Sequence, residues 1–99
     1  MKVRHLLSIT DLSPEDIGSI IVRANDIREQ EPTNTPLSGK SVALLFEKPS
    51  LRTRSSFELA IHKLGGHCLY LGPSEVSLGT RETVADVTKV LSRYVDCLV

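Results

Sequence analysis

The chain has 99 residues, of which 40% are hydrophobic, 24% charged and 4% aromatic, with twelve basic residues against twelve acidic ones. A chain of this size buries only roughly 60–68% of the surface its unfolded state exposes, so its core has to be economical. A formal net charge of zero withholds the basic footprint of a dedicated nucleic-acid or anionic-membrane binder, and the globular composition without low-complexity tracts argues against disorder.

Membrane insertion and export find no support in the sequence. The longest wholly apolar run, Val42 to Phe46, is far shorter than the roughly 20 residues a spanning helix needs. The segment Met1 to Leu7 carries early positive charge but no sustained apolar region or small-residue cleavage site, so a cytoplasmic protein is expected. Cys68 and Cys97 sit inside apolar runs, outside any metal-ligand spacing, and are expected to be core thiols. His5, His62 and His67 form no ligand spacing with one another or with a cysteine, so no metal or cofactor is implied.

In chain order, Ser13-Pro14-Glu15-Asp16 supplies an N-cap, a proline at the first helical position and two first-turn carboxylates, which announce a helix. Ile17, Ile20, Ile21, Ala24 and Ile27 follow at spacings of three and four, predicting one buried face. Pro32, Asn34, Pro36 and Gly39 make residues 31–40 a connecting loop. The run 41–46 reads as a strand covered on both faces. Phe57, Ala60, Ile61 and Leu64 form a second helical stripe stopped by Gly65-Gly66. A strand over 68–71, a polar loop over 72–82, a third stripe of Val84, Val87, Leu91 and Tyr94, and a strand over 95–99 complete the chain. This alternation predicts an α/β fold, a parallel sheet with helices on both faces and right-handed crossovers. There is no internal repeat, and an apolar strand without a following helix suggests the front part of a longer α/β protein.

The chemistry lies where the first strand runs into Glu47-Lys48-Pro49-Ser50-Leu51-Arg52-Thr53-Arg54-Ser55-Ser56. In open α/β sheets ligands collect at the carboxyl ends of strands. Three cations and four hydroxyls ahead of a helix converge on its positive pole, an arrangement suited to phosphate. Arginine forks match phosphate oxygens bidentately, as lysine does not. The competing reading is structural: Ser55 with Glu58 makes a capping box that starts the helix after Arg54. Spacing alone leaves the two evenly matched. No Walker sequence or G-x-G-x-x-G occurs, so the glycine-rich nucleotide loops are excluded.

Phe46 through Arg54, followed by Ser56-Phe57-Glu58-Leu59, resembles the carbamoyl-phosphate signature of the aspartate and ornithine carbamoyltransferases, written S-T-R-T-R with a trailing S-F-E. Further segments are similar to ornithine carbamoyltransferases in the same order: His5-Leu6-Leu7-Ser8 with Asp11-Leu12-Ser13, Leu64-Gly65-Gly66-His67, Leu78-Gly79 with Glu82-Thr83, and Val90 to Asp96. The resemblance covers nearly the whole chain. It implies that residues 1–99 are the N-terminal part of a carbamoyl-phosphate-binding domain, with the ornithine-binding domain absent.

The implied reaction moves the carbamoyl group of carbamoyl phosphate to the side-chain amine of L-ornithine, giving L-citrulline and phosphate, a step of arginine biosynthesis. By the resemblance Ser50, Arg52 and Thr53 hold the phosphate, Leu51 contributes its backbone N–H, and Arg52 is the catalytic residue. The family commonly has threonine where this chain has Leu51, so one side-chain hydroxyl is lost. Arg54 is expected in a supporting or buried ion pair with Glu58, and His62 lies four residues beyond Glu58, within pairing reach.

A second loop, 74–82, reads on its own as a solvated connection whose Thr80 caps the third helix. In the resembled family it reaches a neighbouring subunit of a trimer, which makes Ser77 a weaker candidate contact and implies a homotrimer or a multiple of trimers. Ser77-Leu78-Gly79-Thr80-Arg81 departs from the serine-rich, lysine-bearing loop of aspartate enzymes and agrees with the ornithine pattern. Aspartate, putrescine or acetylornithine as acceptor, and a non-catalytic phosphate-binding assembly module, are the alternatives. Nucleic-acid binding through Lys48, Arg52, Arg54 and Arg81 is disfavoured for want of net positive charge and nearby stacking aromatics. The 99 residues alone are expected to lack transferase activity.

Overall fold

The computed structural model describes residues 4–76 and 83–99. The chain divides into two compact units, Met1–Thr33 and Asn34–Val99. Among the described residues no helix is long and apolar enough to cross a membrane.

In the first unit a 3-10 turn (Ile9–Asp11) leads into α1 (Pro14–Glu29). Both start on capping boxes, Ser8 with Asp11 and Ser13 with Asp16, which satisfy backbone donors that a helix start leaves orphaned. In α1 the Asp16 N–H donates to Ser13 Oγ and the Ser13 N–H to Asp16 Oδ2, each at 3.1 Å. Accepting that backbone bond holds the Asp16 carboxyl below the usual carboxylate range.

The apolar stripe of α1 is not the buried face its spacing predicts. No residue of the helix is buried, and Ile20, Ile21 and Ile27 are 42%, 57% and 37% exposed. Periodicity decides which residues share a face, while burial needs a surface to lie against. Among its described residues the unit holds no second α-helix and no strand to supply one.

The second unit runs β1 (Ser41–Leu45), α2 (Leu51–Lys63), β2 (His67–Leu71), a short α3 (Pro73–Val76), α4 (Val84–Leu91) and β3 (Cys97–Leu98). Its strands form one parallel sheet in the order β2-β1-β3. β1 pairs along its whole length with β2, from Ser41 opposite His67 to Leu45 opposite Leu71, and with β3 through Val42–Cys97 and Ala43–Leu98. Asp96 clips the edge strand: its Oδ2 accepts from Ser41 N–H at 2.8 Å while its own N–H donates to Ser41 O at 2.9 Å.

As the central strand, β1 buries three consecutive residues, Val42, Ala43 and Leu44. Successive side chains point to opposite faces, so both faces of β1 are covered, as the apolar run implies. Val42, Leu44 and Ile61 of α2 form the core cluster, with Leu37, Phe46, Cys68 and Tyr70 packed against it. α2 therefore lies over the even-numbered face of β1. It ends at Gly65, whose φ of +86° is the left-handed conformation glycine adopts freely. A Cβ on Gly65 would also come within 2.7 Å of Thr35 Cβ.

Several boundaries differ from the expectations. Residues 73–76 are helical rather than loop, because Pro73 supplies a pre-set φ at the first helical position. Thr80 lies outside the described residues, and α4 is capped instead by Thr83, whose Oγ1 accepts from Asp86 N–H at 3.1 Å. Tyr94 is 74% exposed because α4 stops at Leu91 and a tight turn, with Tyr94 N–H donating to Leu91 O, follows it. Neither cysteine is a fully buried core thiol: Cys68 is half-buried and Cys97 exposed, since both sit on edge strands of a three-stranded sheet.

Candidate functional site

The carboxyl end of β1 feeds through Pro49 into α2. Proline disfavours helical backbone at the residue before it, so the helix does not reach back past Pro49. Ser50 is the N-cap and Leu51 the first helical residue. The capping box expected of Ser55 and Glu58, with a start after Arg54, does not form. Glu58 binds Arg54 instead.

Ser50, Leu51, Arg52 and Thr53 thus occupy the N-cap and the first three helical positions. Ser50 is half-buried and the other three are exposed, Leu51 to 80%. Helix geometry leaves the N–H groups of Leu51, Arg52 and Thr53 without an intrahelical acceptor; Arg54 N–H, donating to Ser50 O at 3.0 Å, is the first to find one. The Ser50 side chain makes no capping bond, and no acidic residue lies in the first turn.

That start contrasts with those of the other described caps. The 3-10 turn, α1 and α4 each have a side-chain cap bond and an acidic residue in the first turn. In α2 a cation, Arg52, stands at the positive pole, where the helix dipole disfavours it by about 0.3–1 kcal/mol. Local rules of helix design are broken here while they hold at those three starts, a pattern that marks functional sites. Chemically, free N–H groups, an uncommitted hydroxyl and a guanidinium at one helix end suit an oxyanion.

Arg54 sits in different surroundings. Its Nε–H donates to Glu58 Oε1 at 2.9 Å, and its Cζ lies 3.6 Å from the centre of the Tyr70 ring on β2. Tyr70 in turn meets Phe46 edge-on, with ring centres 5.6 Å apart and planes at 79°. The Glu58 bond holds the Arg54 guanidinium more firmly protonated, with the Tyr70 contact adding to it. The pair is not buried: the two side chains are 44% and 37% exposed, so solvent screens the ion pair and it adds little to stability. With its carboxylate held by Arg54, Glu58 does not serve the expected pairing with His62. Burial pushes the Cys68 thiol up, Glu58 adds to that and Arg54 opposes it.

Tyr70 is the residue that sequence reasoning passed over. Its even parity with Cys68 on β2 put it on the face toward α2, but no spacing rule links it to Arg54, sixteen residues earlier on another element. Ser77 lies outside the described residues.

The family described as aspartate/ornithine carbamoyltransferase, carbamoyl-P binding domain, matches residues 4–99. The chain belongs to this family. An ornithine carbamoyltransferase of Chromohalobacter salexigens is 44% identical over 100 residues, a stretch that covers 97% of this chain and 33% of that protein. The crystal structure of an anabolic ornithine carbamoyltransferase from Campylobacter jejuni superposes with a TM-score of 0.87 at 36% identity, over 97% of this chain and 31% of its own. The catalytic subunit of M. jannaschii aspartate transcarbamoylase superposes with a TM-score of 0.82 at 33% identity, over 97% and 33%. The chain spans about a third of the length of the curated relatives it matches. The fold of this carbamoyltransferase domain is therefore shared between enzymes named for different amine acceptors.

Proposed function

We propose that the first turn of α2 is the phosphate-binding element of an ornithine carbamoyltransferase, which transfers the carbamoyl group of carbamoyl phosphate to L-ornithine and yields L-citrulline and phosphate. The observation that carries this reading is the uncapped start of α2, with no first-turn acid and with Arg52 at its positive pole. In this reading the Ser50 and Thr53 hydroxyls, the Leu51 N–H and the Arg52 guanidinium take the phosphate oxygens. A neutral amine attacks the carbonyl carbon, and negative charge grows on the carbonyl oxygen and on the departing phosphate. Donors already fixed in place stabilise that charge without reorganising, and Arg52 supplies the only full positive charge among the four residues.

Ornithine is favoured over aspartate by the loop Ser77-Leu78-Gly79-Thr80-Arg81 and, among the superposed structures, by 36–42% identity to ornithine enzymes against 33% to an aspartate one. A cytoplasmic trimer, with Ser77 reaching a neighbouring subunit, and a place in arginine biosynthesis belong to the same reading.

Titrating carbamoyl phosphate into the 15N-labelled chain tests it. The amide resonances of Leu51, Arg52 and Thr53 are expected to shift most and to saturate together. Unmoved resonances in this turn at millimolar ligand refute the assignment.

A further inference from the structure

The core anchor of α2 lies far from its business end. Ile61 is the one buried residue of the helix, and it stands eleven residues from the Ser50 cap, roughly 16 Å along the axis at 1.5 Å per residue. Leu51, Arg52 and Thr53 are exposed and hold nothing down. A tilt of only about 5° about Ile61 would carry the N-cap roughly 1.4 Å sideways. Misplacement of about 1 Å at a reacting geometry can cost about 10²-fold.

Arg54 is placed where such a tilt can be stopped. It closes the first helical ring through its N–H bond to Ser50 O, so its position and that of the cap are linked through the backbone. Its Cζ lies over the Tyr70 ring, 3.6 Å from the ring centre, and Glu58 holds its Nε from the next turn of α2. Tyr70 itself is packed against the core cluster and braced edge-on by Phe46. A continuous set of contacts therefore runs from the sheet through Tyr70 and Arg54 to the carbonyl of the N-cap.

We infer that Tyr70 is a positioning residue: its ring, through Arg54, sets the angle at which the first turn of α2 presents its donors to carbamoyl phosphate. The inference rests on the proposed site but concerns a residue that does not touch the ligand. With Cζ over the ring centre the face is the main contact and the Tyr70 hydroxyl adds a smaller one, so phenylalanine should keep most of the effect and an aliphatic residue should not. A planar guanidinium is equally required, since lysine keeps the charge but cannot stack in the same way.

The test compares the chain with Tyr70→Phe, Tyr70→Leu and Arg54→Lys by calorimetric titration of carbamoyl phosphate, with NMR of Arg54 alongside. A cation–π contact at a partly exposed site corresponds to roughly a two- to five-fold change in equilibrium. Tyr70→Leu and Arg54→Lys are each expected to weaken binding by that factor, and Tyr70→Phe to stay closer to the parent value than Tyr70→Leu. Arg54→Lys alters a surface group and leaves the core whole, so it stands if Tyr70→Leu fails to fold. In the parent chain the Arg54 Nε–H should show an upfield ring-current shift that survives Tyr70→Phe. Amide exchange at Arg54 and Ser55 should quicken in Arg54→Lys. Unchanged affinity together with unchanged exchange in Arg54→Lys overturns the inference. A parent chain that binds no carbamoyl phosphate refutes the proposed site, and the ring-current shift and exchange rates then decide the brace by themselves.

Discussion

Replacing Arg52 by alanine should move stability and binding in opposite directions. Arg52 is exposed, has no ion-pair partner among the described residues, and stands in the first turn of a helix that has no acid there. Removing a cation from that pole relieves about 0.3–1 kcal/mol of dipole repulsion, and alanine is the best helix former. For a domain of this size that corresponds to a melting point higher by about 1–8 °C. Binding should fall, because a hydrogen bond to a charged group is worth about 1.5–3 kcal/mol, or roughly 10- to 150-fold in Kd. The free N–H groups of the turn remain, so weak phosphate binding should persist. Arg52→Lys should fall between, keeping the charge and losing the fork.

The assay is a thermal melt with and without carbamoyl phosphate, paired with calorimetric titration. Ligand stabilises the folded state by RT ln(1 + [L]/Kd), so the order of melting points should invert once ligand is well above the parent Kd. A variant that binds within twofold of the parent would remove Arg52 from the site. A variant that melts lower in the absence of ligand would show that Arg52 has a structural partner, and the reasoning from an inverted helix pole would fail.

Other substitutions probe single links. Leu51→Thr, at a position 80% exposed, returns a hydroxyl beside the free N–H groups and should tighten carbamoyl phosphate by about 0.5–1.5 kcal/mol in titration without moving the melt. Gly65→Ala must hold a φ of +86° and push against Thr35, and should lower unfolding free energy by about 2–3 kcal/mol in urea. Asp96→Ala removes the acceptor of the Ser41 N–H and should cost about 1 kcal/mol, with faster amide exchange at Ser41. Asp16 has a folded pKa below its unfolded value because of the Ser13 backbone bond. Its contribution to α1 is therefore present above pH about 3.9 and is lost as pH falls through the lowered value. Helicity followed by circular dichroism should show that acid loss in the parent and a flatter profile in Asp16→Asn.

How far the fold could be read from sequence depended on whether the deciding interactions were local. Ser13, Pro14 and Asp16 locate the start of α1 because a cap is a matter of three adjacent residues. The continuous run at Val42 to Leu44 identifies a central strand because burial on both faces leaves no alternation. The same local logic misplaced the start of α2: Ser55 and Glu58 satisfy the capping-box spacing, but Pro49 acts earlier in the chain and Glu58 is taken by Arg54. Burial of the α1 stripe and of the two cysteines could not be read at all, since it depends on which surfaces the rest of the molecule brings to them. Tyr70 was illegible for a related reason, as its contact with Arg54 joins a strand to a helix.

The two arginines of the Arg52-Thr53-Arg54 segment look interchangeable in sequence and are separated by geometry. Residues two apart on an α-helix project about 200° from each other. Since Arg54 lies against Tyr70 on β2, Arg52 must leave the helix on the side away from that ring. One face of the turn is thereby committed to the sheet and the other left to solvent, and under the proposed site a planar, permanently charged group suits both positions. Exchanging them for lysine one at a time should separate the roles: Arg52→Lys should weaken carbamoyl phosphate binding with amide exchange at Arg54 and Ser55 unchanged, whereas Arg54→Lys should raise that exchange as well. Identical exchange behaviour in the two variants would mean that both side chains face the same way, and the division of labour between them would be lost.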